Sequence, residues 1–201
     1  MLFNNKFILA SNSPSRSKIL KNNRLSFIKI APLCEEEVLK KTLLKKKVQI
    51  QKISLELARL KSKSISHLNK NILVVGSDTV ISLEGRLLNK ASTLSEAKKK
   101  LQKLSGRTHY LFSSISVFYN NKEVWNTTQK SDVKIRKLSK KDIDYYLSRA
   151  GEKILGAVGC YHVEGLGPNI IESLKGDLYN VMGFPLFPFL TFLKKYKKAN
   201  K

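Results

Sequence analysis

Acidic residues are scarce in this chain of 201 residues: 15 Asp and Glu stand against 38 Lys and Arg, for a formal charge of +23. The imbalance excludes an acidic, solvating composition and makes every carboxylate at a defined position informative. Cysteine is nearly absent, and Cys34 and Cys160 form neither a metal-ligand spacing nor a disulfide framework, so free thiols are expected. Long apolar runs are missing as well. The longest, 184–193 and 72–83, are shorter than the roughly 18–20 residues of a membrane span or are broken by polar residues. Residues 7–10 are too few for a signal-peptide core, so a soluble cytoplasmic protein is expected. The lysine runs 45–47, 98–100 and 194–195 sit beside helical patterns, and the first two lack the interleaved aromatics that stack bases. They read as solvated helix faces, although a charge of this sign also suits an anionic substrate.

What is present is enough apolar content, 42%, to fill the core of one domain or of two small lobes sharing a sheet. Residues 7–10 predict a buried strand, and Ser13-Pro14 predicts a helix start, with the proline in the first turn. A second strand is expected at 25–30, then a loop at 31–37 with three consecutive acids, then a helix at 48–68. On that helix Ile50, Ile53, Leu57, Leu60 and Ser64 share a stripe, with Lys61 at its edge and Arg59 pointing away. Extended segments at 72–75 and 79–83 flank a Gly-Ser-Asp step. Thr93 and Ser139 cap helices at 93–104 and 139–149. A long hairpin turns at Asn120-Asn121, a strand is expected at 158–163, and a helix at 185–196 closes the chain. Mixed strands and helices give an α/β or α+β class with a mixed sheet.

Several short stretches carry chemistry. Ser11, Ser13 and Arg16 lie where a strand hands over to a helix, a place where free N–H groups and the helix dipole attract anions. The same residues read equally as a helix cap with a solvated arginine. Asp78 follows Gly76-Ser77 and offers a carboxylate that can take a proton from water or bind a divalent ion; a plain turn gives the same pattern. Lys90, beyond the next turn, is a candidate phosphate charge. Glu35 and Glu36 are a carboxylate pair suited to Mg²⁺ or Mn²⁺, or a solvent-facing acidic turn. His109 precedes a strand, where packing is the commoner role. Glu164 ends the strand expected at 158–163 and can accept hydrogen bonds from a base or sugar.

The order and spacing of these stretches resemble the Maf family of nucleoside triphosphate pyrophosphatases over nearly the whole chain. The matching segments are Leu9-Ala10-Ser11-Asn12-Ser13-Pro14 with Arg16, Ala31-Pro32 with Glu35-Glu36, and Leu57-Ala58-Arg59-Leu60-Lys61. They continue through Gly76-Ser77-Asp78-Thr79, Lys90, Leu104 to His109, Tyr161 to Gly165, and Asn180-Val181-Met182-Gly183-Phe184-Pro185-Leu186. The resemblance implies one domain over residues 1–201, related to inosine-triphosphatase folds. Its α/β architecture would be two-lobed, a twisted mixed sheet with flanking helices and a deep central cleft. It further implies cleavage of a nucleoside triphosphate between the α and β phosphates. By position, Asp78 would accept the proton, Glu35 and Asp78 would hold a divalent cation (Mg²⁺, Mn²⁺ or Co²⁺), and Ser11, Ser13, Arg16, Lys61 and Lys90 would grip the phosphates.

Two departures bear on specificity. The family usually has an arginine pair after Ser-x-Ser-Pro, and here Ser15 takes the first place. Thr79 matches the branch acting on dTTP and UTP, whereas Glu164 resembles the branch acting on 7-methyl-GTP, so the base stays undecided between them. The expected partner is the nucleotide, with no specific nucleic acid and no membrane, and a homodimer is compatible with the sequence. The rival reading is a basic RNA- or nucleotide-binding protein without catalysis.

Overall fold

The computed structural model describes residues 6–199, with side chains to Tyr196. Its seven strands form one mixed sheet, ordered β2-β1-β3-β5-β6-β7 with β4 beside β3. The strands are β1 (Phe7–Ala10), β2 (Phe27–Ile30), β3 (Leu73–Leu83), β4 (Arg86–Leu88), β5 (Thr108–Tyr119), β6 (Lys122–Ile135) and β7 (Ile171–Lys175). Helices are α1 (Pro14–Asn22), α2 (Glu36–Lys45), α3 (Ile50–Ser66), α4 (Leu94–Leu104), α5 (Lys140–Ala150), α6 (Leu178–Val181) and α7 (Leu186–Ala199). The chain divides into two compact units. The first takes the residues up to Thr79, Ser113–Gln129 and those from Gly183 onward; the second takes Val80–Phe112 and Lys130–Met182.

In the first unit β1 is parallel to both β2 and β3, with Ala10 opposite Gly76. All four residues of β1 are buried, as a parallel strand covered on both faces requires. Ser13 caps α1 and Pro14 sits in its first turn, as the sequence predicts. The buried stripe of α3 includes Ile53, Leu57, Ala58, Lys61, Ser62 and Ile65. Arg59 points away and bonds Glu56 and Glu123. Under α7 the rings of Phe7, Phe184 and Phe189 are fully buried, with Phe189 edge-on to each of the others at 5.3 Å.

The core of the second unit collects Leu101, Leu104, Ile135, Ile143, Tyr146 and Ile154. Helix α5 opens with a reciprocal capping box between Ser139 and Asp142. Residues Glu84 and Gly85 turn β3 into β4 with φ of 51° and 74°, the left-handed pair that a tight hairpin needs. Asn120 and Asn121, at 48° and 63°, do the same between β5 and β6 in the first unit.

Three expectations need correction. Residues 72–83 are not two segments around a step: β3 runs unbroken, so Asp78 lies mid-strand. The acidic stretch is not all loop, since α2 starts at Glu36. The strand expected at 158–163 is absent; Cys160 has φ 56° and its N–H bonds the Ala157 carbonyl in a turn. The strand that does form nearby is β7.

Candidate active site

The site begins with a glycine. A Cβ on Gly76 would lie 2.3 Å from the Ala58 carbonyl oxygen and 2.7 Å from the Ser62 nitrogen, both backbone atoms of α3. Only hydrogen at this position lets the helix touch the strand so closely. Asp78, two residues along β3, shares the face of Gly76. Lys61, between Ala58 and Ser62 on the helix, reaches it: Nζ donates to Asp78 Oδ1 at 2.6 Å and lies 2.8 Å from Glu36 Oε2. Side-chain exposure is 7% for Lys61 and 12% for Asp78, so the contact is shielded, while Glu36 at 40% opens it to solvent. One ammonium thus ties a carboxylate from β3 to a carboxylate from the first turn of α2.

A second cluster forms around Arg16, which is buried. Its Nε donates to the Gly183 carbonyl at 2.8 Å, Nη2 to Thr79 Oγ1 at 3.2 Å and Nη1 to Ser11 Oγ at 3.4 Å. Burial lowers the pKa of the guanidinium, and the Asp78 and Glu36 carboxylates act against that shift. The Gly183 carbonyl also accepts from Ser77 Oγ at 3.1 Å, and the hydroxyls of Thr79 and Ser113 are hydrogen-bonded to each other at 2.8 Å. Gly183 has φ 95°, a conformation that favours glycine, and a Cβ there would meet Thr79 Oγ1 at 3.1 Å. Ser11 Oγ accepts from the Ser13 N–H, and Ser13 Oγ from the Arg16 N–H, so both serines fix the first turn of α1.

The structure therefore brings Ser11, Ser13, Arg16, Lys61, Asp78 and Thr79 into one unit, in two hydrogen-bonded groups. It gives the two members of the acid pair different surroundings. Glu35 is exposed at the N-cap position of α2 and makes no side-chain capping bond, and it is Glu36 that meets Lys61. Ser15 is half-buried on α1. Lys90 and Glu164 are exposed residues of the second unit, and Glu164 sits in a turn rather than at a strand end. His109 is fully buried with its Nε2 2.6 Å from the Tyr161 hydroxyl, and burial lowers its pKa to about 4, which fits a packed, neutral ring.

Among the described residues no three His, Cys, Asp or Glu side chains assemble a metal cluster. Asp78 and Glu36 supply two hard oxygen donors around Lys61. That set fits Mg²⁺ or Mn²⁺ of the kind that takes one or two carboxylates and completes its shell with water and substrate phosphate. Gly183, Ser77 and Ser113 were not singled out from the sequence as site residues. The unusual Asn-Val-Met-Gly-Phe-Pro segment was the only signal pointing to the first of them.

Residues 6–196 match the family described as Maf-like protein. The chain is 35% identical over 186 residues to a nucleoside triphosphate pyrophosphatase of Caulobacter vibrioides, covering 92% of this chain and 93% of the relative. It is 36% identical over 191 residues to a 7-methyl-GTP pyrophosphatase of Bartonella henselae, covering 94% and 95%. Among solved structures the Ham1 protein of Staphylococcus aureus is similar at a TM-score of 0.48 and 16% identity, over 98% of this chain and all of that one. No described helix is long and apolar enough to cross a membrane.

Proposed function

Because this chain belongs to the Maf-like proteins along almost its full length, we propose that it hydrolyses nucleoside triphosphates to the monophosphate and pyrophosphate. The observation that carries the reading is the shielded Asp78–Lys61 contact, opened on one side by Glu36 and set in the same unit as the Arg16 cluster. A buried carboxylate held by a lysine beside further cations suits a reaction in which a polyanion must be neutralised while water is deprotonated.

In this reading water attacks the α-phosphorus, the bond from that phosphorus to the bridging oxygen breaks, and pyrophosphate leaves. Asp78 takes the proton of the attacking water. Lys61 and Arg16 neutralise phosphate oxygens, and the serines of the first turn of α1 orient them. Arg16 has five N–H donors, of which three are engaged within the protein, so two are left to face an anion. Glu36, in place of Glu35, and Asp78 would hold a divalent cation. That cation would supply charge neutralisation at the phosphate and a lowered pKa for bound water.

Pyrophosphate release from a panel containing dTTP, UTP and 7-methyl-GTP, with Mg²⁺, Mn²⁺ or Co²⁺, tests the proposal. Asp78→Asn is expected to keep the fold and to lower turnover by about 10²–10⁴. Folded wild-type protein that binds these nucleotides and releases no pyrophosphate would instead favour a binding protein without catalysis.

A further inference from the structure

The second unit contains a pocket of about 640 Å³ that no residue of the candidate active site lines. That volume lies within the roughly 300–1,000 Å³ of small-molecule sites. Its cations are Arg136, Lys137 and Arg149, and its one carboxylate is Asp142. None of the three cations forms an ion pair among the described residues. The carboxylate is already committed, because Asp142 Oδ2 accepts the Ser139 N–H at 2.8 Å in the capping box of α5. The pocket therefore sets three cations against one carboxylate that is tied to the helix backbone, and it stays cationic on balance.

Its frame is fixed by backbone bonds. The Arg136 N–H donates to the Ile170 carbonyl at 2.9 Å, and the Arg136 carbonyl accepts from Gly106 at 3.0 Å. Leu138 is held at both ends by the Ser105 hydroxyl, donating its N–H at 2.8 Å and accepting at its carbonyl at 3.2 Å. The segment carrying two of the three cations is thus pinned before any ligand arrives.

The rest of the lining is aromatic and apolar. Tyr145 is 70% exposed and presents a ring, and Leu166 is 40% exposed. Tyr146 is buried with its hydroxyl donating to the Cys160 carbonyl, so its ring is what it has left to offer. An aromatic face beside three unpaired cations matches a ligand that joins a flat ring to a phosphate. From this juxtaposition we propose that the pocket of the second unit binds a nucleoside monophosphate, with the phosphate on Arg136, Lys137 and Arg149 and the base against Tyr145. The choice of a monophosphate rests on the pyrophosphatase reading, since that is the nucleotide the reaction releases. The pocket would then be a separate product-binding site.

The test is an amide-resolved NMR titration of the whole chain with UMP and GMP, with orthophosphate, uridine and a short single-stranded oligonucleotide as controls. Saturable shifts at 136–138, 145–149 and 166–170 are expected with the monophosphates. They should be about tenfold weaker with phosphate or nucleoside alone, and about tenfold weaker again for Arg149→Glu or Tyr145→Ala. Tyr145→Phe keeps the ring and should keep the affinity. Pyrophosphate release by the same variants should match wild type, which separates failure of this site from failure of the catalytic reading. The proposal is overturned if these segments do not saturate with a monophosphate, if orthophosphate binds them equally well, if Tyr145→Ala and Arg149→Glu bind like wild type, or if only the oligonucleotide saturates them.

Discussion

Replacing Gly76 with alanine is the sharpest probe of how the site is built. The new Cβ would stand 2.3 Å from the Ala58 carbonyl oxygen and 2.7 Å from the Ser62 nitrogen. Ordinary contact needs about 3.4 Å or more, so α3 must retreat from β3 by about 1 Å. Both obstructing atoms are backbone, and no rotamer change relieves them. Overpacking of this kind costs roughly 1–3 kcal/mol, which at roughly 2–4 °C per kcal/mol is a clear fall in Tm. The same retreat carries Lys61 off Asp78, and a displacement near 1 Å at reacting groups costs about 10²-fold in rate. Urea unfolding and pyrophosphate release, measured on one preparation, give both numbers. Gly156→Ala serves as the control, because nothing lies within 4 Å of a Cβ there and its change should stay within about 0.5 kcal/mol. If Gly76→Ala matched wild type in both assays, close helix–strand contact would not be what positions the lysine.

Further outcomes follow from the same geometry. Lys61→Met removes the cation shared by Asp78 and Glu36 and leaves a shielded carboxylate without its partner; stability should fall by up to roughly 3–5 kcal/mol, read by urea denaturation, with turnover lost as well. Thr79→Val deletes the hydroxyl that accepts from Arg16 and bonds Ser113, so KM for the triphosphate should rise about tenfold, whereas Thr79→Ser should stay near wild type. His109 has its pKa lowered by burial to about 4 from 6.5, so the unfolded chain binds the extra proton between those values. Its contribution, about 3 kcal/mol at full extent, is present above pH 6.5 and is lost as pH falls towards 4. Denaturation midpoints at pH 7 and 4.5 should converge in His109→Gln relative to wild type.

Much of this was legible in the chain. The caps at Ser13 and Ser139, the stripe of α3 and the asparagine turn are local signals, and each forms as the sequence predicts. Lys61 was placed correctly because a 3.6-residue period fixes which side chain edges a core. What failed depended on distant partners. Ser77 and Asp78 look like a break in β3, yet their polar groups are satisfied by Gly183 and Lys61, from segments far along the chain. Helix α2 buries none of its side chains fully, so it left no apolar stripe to read. Where that helix starts also decides which of Glu35 and Glu36 meets Lys61, since one residue sends neighbouring carboxylates in different directions. The turn at Cys160 hides in an apolar run because a left-handed cysteine leaves no compositional trace.

Arg16 carries a consequence for experiments on anion binding. Thr79 closes one stretch of the first unit, while Ser113 and Gly183 each open another, and all three meet in the network that this arginine holds together. The guanidinium is a clasp for its own chain before it is a receptor for anything else. An alanine at this place would loosen three crossings of the polypeptide at once, so lost turnover in that variant would say little about phosphate.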